Sequence, residues 1–231
     1  IINKIDSLTA RETLAAWREL FFKLKKVDRR LSRSGSDLFR VANALRQRHL
    51  GNSCCVHGII EFSNYCRNNC LYCGIRKDNS KVVRYRMGIE EIVSAADYAV
   101  NTLGFKALVL QSGEDLFYAD EKLIEIIAGI KSRCAALLFI SIGEREFETY
   151  EKLYQAGARG ALLRFETSNP SLYREMRPGH EIADRLNLIE RLKDIGYLII
   201  TGSLVGFSGQ TEADVLEDLR LTKELKAEMY S

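Results

Sequence analysis

The sequence predicts an α/β fold in which helices cover a parallel sheet. After residue 53, short apolar runs alternate about five times with segments of helical periodicity, and such alternation is typical of βα repeats. Polar, glycine-containing stretches follow the apolar runs, at the edge of a parallel sheet where binding and chemistry usually lie. Periodicity alone leaves open a doubly wound sheet and a (β/α) barrel.

A helical segment, residues 1–52, precedes the repeat, which occupies residues 53–231. Apolar side chains at helical spacing follow residues 7–9, and a second helical stretch opens at Asp37 and ends at Gly51, as glycine commonly ends helices. The chain is therefore expected to have an N-terminal helical extension ahead of its sheet.

Strands and helices are expected in turn along the repeat. The predicted strands cover residues 56–62, 107–111, 136–140, 160–164 and 197–205. The predicted helices cover residues 89–103, 123–130, 149–155, 182–195 and 211–225, the last with Thr211 as its N-cap. Residues 223–231 read as a helix end running into a further strand with no closing element, so we expect a fragment of a larger domain.

Composition excludes several classes of protein. Hydrophobic residues make up 46% and charged residues 28% of the chain, as in ordinary globular domains. The net charge of +3 is too small to indicate nucleic acid or a membrane surface as a partner. No apolar run approaches the roughly 20 residues of a membrane span, and the N-terminus lacks a signal peptide's apolar core. We expect a cytoplasmic monomer that binds neither nucleic acid nor membrane.

Three cysteines follow the first predicted strand at the spacing CxxxCxxC: Cys66, Cys70 and Cys73. A 4Fe–4S cluster normally takes four ligands. Three thiolates within eight residues can therefore each bind one iron of the cluster and leave the fourth iron open to a chelating ligand. Catalytic metal sites keep an open position in the same way. The cysteines are thus candidate metal ligands and catalytic residues.

The alternatives for these cysteines are structural zinc and buried thiols. Zinc needs a fourth ligand at matched spacing, and neither His57 nor Cys134 forms a second CxxC-type pair. The clustering favours metal binding over disulfides in a reducing compartment. Cys54, Cys55 and Cys134 are interpreted as small apolar residues.

With Tyr72 directly before its last cysteine, the motif resembles the signature of the radical SAM superfamily. That resemblance implies an enzyme with two cofactors, a 4Fe–4S cluster and S-adenosylmethionine (SAM), and places Tyr72 beside the adenine. It also implies the reaction: one electron from the reduced cluster, supplied by an electron donor, breaks the S–C5′ bond, and the 5′-deoxyadenosyl radical attacks a substrate.

The loops after the second and third strands supply further candidates. The run QSGED resembles the superfamily's GGE-like motif, which holds the SAM ammonium, and contributes Gln111, Ser112, Gly113 and Glu114. The alternative is a turn with acidic residues at a helix start. Ser141, in SIGE, is a candidate contact to SAM or substrate, or else a helix cap.

The last two strands end in charged residues or glycine. Buried charges are costly unless paired; Glu166 can accept both ribose hydroxyls and Arg164 can clamp a carboxylate, or the two pair with each other. Thr167 is a second candidate substrate contact, and Arg185 is a candidate partner of the SAM carboxylate, although most helical arginines are solvated. Gly206 permits close approach to adenine, or simply a tight turn.

Longer runs resemble HydE, a family of FeFe-hydrogenase maturases, and more distantly biotin synthase and methylornithine synthase. The runs are IIEFSNYCRNNCLYCGIRKDN, RYRM, LVLQSGED, LLRFET, LYREMRPG and GSLVGFSGQT. The resemblance implies a TIM-type barrel, here incomplete with about five βα units. It also implies that the three cysteines bind the cluster, that Glu166 binds the ribose of SAM and that Arg185 binds the SAM carboxylate. It also implies that Arg164 faces the substrate cavity.

The HydE resemblance further implies assembly of the diiron subcluster of FeFe-hydrogenase. The substrate would be a small molecule or an iron complex, with other hydrogenase maturation proteins as partners. Departures from the family pattern are Phe165 in place of an expected histidine and a SIGE loop without tryptophan. The alternatives are a methylornithine- or biotin-synthase-like enzyme and a non-catalytic module that binds a cluster or zinc.

Overall fold

The computed structural model describes residues 37–53 and 56–231, and the chain divides into two compact units, residues 1–55 and 56–231. In the first unit the described helix is α1 (Asp37–Leu50), as predicted. It ends at Gly51, whose φ of +64° is the left-handed conformation that glycine adopts most readily at a helix end. The helix predicted after residues 7–9 lies outside the described residues.

Six parallel strands form one sheet in the second unit, in the sequence order β1 to β6. The strands are β1 (His57–Ser63), β2 (Ala107–Ser112), β3 (Leu137–Ser141), β4 (Gly160–Leu162), β5 (Leu198–Thr201) and β6 (Met229–Tyr230). Among the described strands β1 and β6 do not pair with each other. The sheet is thus a barrel wall that is not closed, and the predicted further strand near the end of the chain is present as β6.

Helices follow the strands in the expected alternation. They are α2 (Ile89–Asp97), which continues as a π-helical turn (Tyr98–Thr102), α3 (Asp120–Arg133), α4 (Phe147–Ala156), α5 (Pro170–Met176), α6 (Ile182–Ile195) and α7 (Glu212–Glu224). The bounds of α6 match the prediction, and Thr211 caps α7 by accepting a bond from the backbone N–H of Asp214 at 3.3 Å. Within the described ranges, no helix is long and apolar enough to cross a membrane.

Helix α5 lies between β4 and α6, where the sequence predicted no helix. Pro170 occupies its first turn, where a missing N–H costs nothing. The Asn169 side chain accepts bonds from the backbone N–H groups of Ser171 and Leu172 at 3.0 and 3.2 Å. Seven residues are too few to show a helical period, so these capping residues are the signal that was available.

Side chains alternate across the sheet and build two apolar layers. The larger core lies between the sheet and the helices, and includes Phe62, Leu108, Leu138, Ile126 and Leu192, each at most 1% exposed. A smaller cluster of Ala107, Val109, Phe139 and Ile200 covers the other face. Burial of each large apolar side chain contributes about 1.5–3 kcal/mol, so the larger layer fixes the sheet on which the strand-end loops stand.

Candidate functional site

A cavity of about 450 Å³ opens at the carboxyl ends of the strands. The predicted site residues that line it are Cys66, Cys70, Tyr72, Cys73, Gln111, Ser112, Gly113, Glu114, Ser141, Arg164, Glu166 and Arg185. The parallel sheet brings these residues together because every β-strand of the repeat delivers its carboxyl end to the same edge. Residues that lie far apart in the sequence thus surround a single cavity.

The loop that carries the three cysteines, residues 64–79, is held by a guanidinium from outside it. Arg84 donates hydrogen bonds to four backbone carbonyls of this cluster loop, those of Asn64, Ile75, Arg76 and Asn79. Asn64 precedes the first cysteine and the other three follow the last one. The Arg84 side chain therefore clamps the two ends of the cluster loop together.

The three cysteine sulfurs lie in different surroundings. The Cys66 sulfur accepts bonds from the backbone N–H groups of Asn68 and Glu114 at 3.5 and 3.4 Å, and hydrogen bonds to sulfur are one of the levers that tune iron–sulfur sites. Burial raises the pKa of the Cys70 thiol, while the guanidinium of Arg177 acts to lower it. Cys66 and Cys73 are partly exposed and Cys70 is buried.

Gly113 lets the loop after β2 touch the cluster loop. A Cβ at this position would lie 2.1 Å from the carbonyl oxygen of Tyr65 and 2.9 Å from the Cβ of Cys66. The Gly113 N–H donates to the carbonyl of Ser63 at 3.0 Å. The glycine of QSGED is therefore needed for backbone packing against the cysteine motif, whatever else it contacts.

The carboxylate of Glu114 is engaged by protein donors. It is 3% exposed and accepts bonds from Arg67 Nε at 2.5 Å, Asn68 Nδ2 at 2.9 Å and the backbone N–H of Glu144 at 2.9 Å. Both oxygens thereby join the cluster loop to the loop after β3. The contact with the SAM ammonium stays a prediction, and the observed role of Glu114 is to join these loops.

Asp115 and Arg86 form a second link at the same place. Arg86 binds both Asp115 oxygens, at 2.7 and 2.9 Å, and its guanidinium lies 3.9 Å from the ring centre of Tyr65 and 4.6 Å from that of Phe117. The Ser63 hydroxyl donates to the same carboxylate at 2.7 Å. Burial acts to raise the pKa of Asp115, but these donors hold it below its ordinary value.

Glu166 differs from Glu114 in both backbone and carboxylate. Its φ of +69° is rare for a residue with a side chain, and strain of this kind, about 1–3 kcal/mol, gathers at functional sites. The carboxylate is buried, its Oε2 has no hydrogen-bond partner among the described residues, and the Arg164 Nε lies 3.6 Å away. Burial raises the pKa of Glu166, while Arg164 and Arg177 oppose that rise.

Sequence reasoning missed an ionic cluster beside the cavity. The Glu144 carboxylate lies 2.5 Å from Arg185 Nε, 3.2 Å from His180 Nδ1 and 3.5 Å from Arg177 Nη2. Arg177 and Arg185 are 3% and 4% exposed, and both line the cavity. Arg177 and His180 lie in the RPGH run after α5; Arg177 falls within the LYREMRPG run that resembles HydE, but nothing in the sequence assigned either residue a role.

The structure does not bring Thr167 and Gly206 to the cavity. Because the chain turns sharply at Glu166, Thr167 is fully buried, and its hydroxyl accepts the backbone N–H of Asn169 at 3.2 Å. Gly206 has a φ of +108°, and its N–H donates to the side chain of Gln210 at 2.7 Å. The tight-turn alternative therefore describes Gly206, and the predicted substrate contact of Thr167 has no support in this geometry.

The donor set fits a 4Fe–4S cluster with one open iron. Three thiols from one loop face a cavity that is also lined by two buried carboxylates and two buried guanidiniums. Zinc bound by three thiolates at about 2.3 Å would hold the sulfurs within about 3.8 Å of one another. In the part of the chain that the structure describes, no group of three or more His, Cys, Asp or Glu side chains is placed to hold a single metal ion.

Comparisons with known proteins agree with this geometry. Residues 60–222 match the radical SAM superfamily. The chain is 46% identical over 187 residues to the [FeFe] hydrogenase maturase subunit HydE of Thermotoga maritima, covering 81% of this chain and 53% of the maturase. It is 31% identical over 180 residues to the 3-methylornithine synthase of Methanosarcina acetivorans, covering 77% of this chain and 51% of the synthase.

The fold is also found among solved structures. The crystal structure of methylornithine synthase (PylB) superposes with a TM-score of 0.78 and 26% identity, over 99% of this chain and 61% of that one. The chain spans about half the length of the curated relatives described above.

Proposed function

Because this chain belongs to the radical SAM superfamily, we propose that it binds a 4Fe–4S cluster through Cys66, Cys70 and Cys73 and cleaves SAM reductively. The observation that carries the proposal is the convergence of these cysteines with Glu166 and Arg185 on one cavity. When bound, the cluster supplies one electron to SAM and so generates the 5′-deoxyadenosyl radical.

The protein's own side chains bind and orient SAM in this proposal. Glu166 offers a buried carboxylate oxygen without a hydrogen-bond partner among the described residues, which suits the two ribose hydroxyls. Arg185 is buried on the cavity wall and suits the methionine carboxylate. The aromatic ring of Tyr72, tilted toward that of Phe207 at 5.8 Å between centres, suits one face of the adenine.

We further propose a HydE-type role in assembly of the diiron subcluster of FeFe-hydrogenase. The support is the 46% identity to the Thermotoga maritima maturase. The substrate is then a small molecule or an iron complex that reaches Arg164 on the cavity wall. A one-electron donor and other hydrogenase maturation proteins are the proposed partners, and the protein acts in the cytoplasm as a monomer.

A methylornithine-synthase-like reaction is the second candidate. Its support is the 31% identity to the 3-methylornithine synthase of Methanosarcina acetivorans. The two candidates share the SAM chemistry and differ in substrate. An FeFe-hydrogenase maturation mixture with and without the full-length protein separates them, because the first candidate alone predicts that hydrogenase activity depends on the added protein.

The core of the proposal is tested by 5′-deoxyadenosine formation from SAM. We expect the full-length protein, reconstituted without oxygen and reduced with dithionite, to release 5′-deoxyadenosine, and Cys70→Ala to abolish that release. Cys134→Ala is the matched control, because Cys134 is buried at the end of α3 outside the cavity.

Two outcomes would count against the proposal. Cys70→Ala protein that still cleaves SAM would refute the assignment of the cysteines. Stoichiometric zinc without iron in the purified protein would instead favour the non-catalytic module.

A further inference from the structure

Arg177 is a buried cation whose charge is only partly cancelled. It lies at the end of α5 and is 3% exposed. Its Nε has no hydrogen-bond partner among the described residues, and its Nη2 lies 3.5 Å from the nearest carboxylate oxygen, on Glu144. A buried charge costs several kcal/mol unless it is well paired, so this position of the guanidinium calls for an explanation.

Glu144 cannot neutralise Arg177, because it has a closer partner. The same carboxylate oxygen lies 2.5 Å from Arg185 Nε, and the other oxygen faces His180 at 3.2 Å. One carboxylate therefore serves two permanent guanidiniums. The group of Glu144, Arg177 and Arg185 keeps a net charge of +1 when His180 is neutral.

That surplus charge lies against the cluster loop. The backbone N–H of Leu71 donates to the carbonyl of Met176 at 2.9 Å, which joins the neighbour of Cys70 to the neighbour of Arg177. Cys70 and Arg177 also line the same cavity. The positive charge of Arg177 therefore lies in the same cavity as the three cysteines.

We infer that Arg177 raises the reduction potential of the cluster held by Cys66, Cys70 and Cys73, as a positioning charge and not as a ligand. The inference rests on the proposed function, since it needs the cluster. Reduction adds one electron, taken from a low-potential one-electron donor, and makes or breaks no bond. The reduced site carries one more negative charge, and a fixed cation in a site of low dielectric stabilises it relative to the oxidised site.

The test is a potentiometric titration of the full-length, reconstituted protein without SAM, followed by electron paramagnetic resonance. We expect Arg177→Gln to lower the equilibrium constant for one-electron reduction about tenfold, which corresponds to about 59 mV. Arg177→Lys keeps the charge and should recover most of the shift. Arg174→Gln is the matched control on the same helix, because Arg174 is exposed and pairs with Glu181 at 3.1 Å.

Glu144→Gln gives a test of opposite sign that does not alter Arg177. Without this carboxylate the positive charges of Arg177 and Arg185 are no longer partly cancelled, so we expect the midpoint potential of the cluster to rise. This variant decides the matter if Arg177→Gln fails to assemble a cluster. Iron and sulfide content are measured for every variant, so that potentials are compared only between fully loaded proteins.

Three results would overturn the inference. They are an Arg177→Gln cluster with the original midpoint potential, an equal shift in Arg174→Gln, and a Glu144→Gln potential that stays or falls. Wild-type protein that binds a cluster but does not cleave SAM would refute the proposed function, and the inference that Arg177 raises the reduction potential would still stand or fall on the titrations. A wild-type chain that assembles no cluster would overturn both.

Discussion

The two sides of the cavity satisfy their buried carboxylates in different ways. On the cluster side, formed by the cluster loop and the loop after β2, Glu114 and Asp115 accept bonds from protein donors at both oxygens. On the open side, at the ends of β4 and β5, Glu166 has a backbone with positive φ and one oxygen that has no hydrogen-bond partner in the described part of the chain.

This difference indicates two roles. The cluster side, with Glu114 and Asp115, is a structural scaffold, here called the frame, and the open side, with Glu166, is a binding surface. Carboxylates that are saturated by the protein stabilise the folded chain and have little left to offer a ligand. A buried carboxylate left partly unbonded costs stability and gains it back when a ligand donates to it. Substitutions on the cluster side or on the open side of the cavity, made one at a time, test this difference.

Gly113→Ala should break the frame. The new Cβ would meet the Tyr65 carbonyl oxygen at 2.1 Å, and backbone cannot move aside as cheaply as a flexible side chain. We expect a loss of about 3 kcal/mol in the free energy of unfolding, measured in urea, and loss of most bound iron. Gly74→Ala is the control within the same loop, since its Cβ meets nothing within 4 Å; similar damage there would contradict the steric explanation.

Asp115→Asn should weaken the frame in a pH-dependent way. At pH 7 we expect a loss of about 2–3 kcal/mol in unfolding free energy, because the two hydrogen bonds from the exposed Arg86 guanidinium to the buried Asp115 carboxylate are weakened. A carboxyl whose pKa is lowered on folding stabilises the protein above its unfolded pKa, here 3.8, and that contribution disappears as pH falls through the lower folded pKa.

Urea unfolding of wild type and Asp115→Asn at pH 7 and below pH 3.8 checks this expectation. The difference between the two proteins should shrink on acidification. A difference that stays constant with pH would mean that Asp115 acts through shape and not through charge. Asp194→Asn, at an exposed position, should change stability by less than about 0.5 kcal/mol.

Glu166→Gln should affect binding and spare the fold. We expect SAM to bind about 10–100-fold more weakly, because hydrogen bonds to a charged group contribute about 1.5–3 kcal/mol. Burial raises the pKa of Glu166, so the charged form opposes folding at neutral pH, and the variant should unfold at the same or a higher urea concentration.

Calorimetric titration with SAM measures the first effect and urea unfolding the second. Glu175→Gln, at an exposed position on α5, is the control. If Glu166→Gln destabilised the protein and left its SAM affinity unchanged, Glu166 would have a structural role like that of Glu114, and the two sides of the cavity would not differ.

Arg67→Gln should have the smallest effect. The Arg67 side chain is 50% exposed, and Glu114 retains its bonds from Asn68 and from the backbone of Glu144. We expect a loss of about 1 kcal/mol or less, with iron content unchanged. A large loss of iron would show that the frame depends on this one ion pair.

Much of the fold could be predicted from the periodicity of apolar residues and from helix-capping residues. The apolar runs predicted the first five strands of the sheet, and α6 has the predicted bounds, because long amphipathic stretches outweigh local noise. Strands β4 and β5 end at Leu162 and Thr201, earlier than predicted. Apolar residues continue beyond them because Leu163 and Phe165 stay buried in the core after the ladder ends.

The site was predictable where chemistry fixes residue type and spacing. The cysteine motif and the strand-end positions identified half of the residues that line the cavity. Sequence carries no sign of which charged groups pair in space, so the links of Glu114 to Arg67 and of Glu144 to Arg185 were missed. Thr167 was misplaced because the turn at Glu166 depends on tertiary contacts with the segment after β5, including the bond from the N–H of Leu204.

The guanidinium of Arg84 has a consequence for how the protein acquires iron. Its bonds to carbonyls on both sides of the cysteines involve no metal ligand, so folding of the polypeptide can itself shape the loop. Little ordering entropy then remains to oppose metal uptake. Hydrogen exchange in the metal-free protein should accordingly be slow in this loop, and Arg84→Ala should make metal uptake resemble a folding reaction, with a rate that falls in dilute urea.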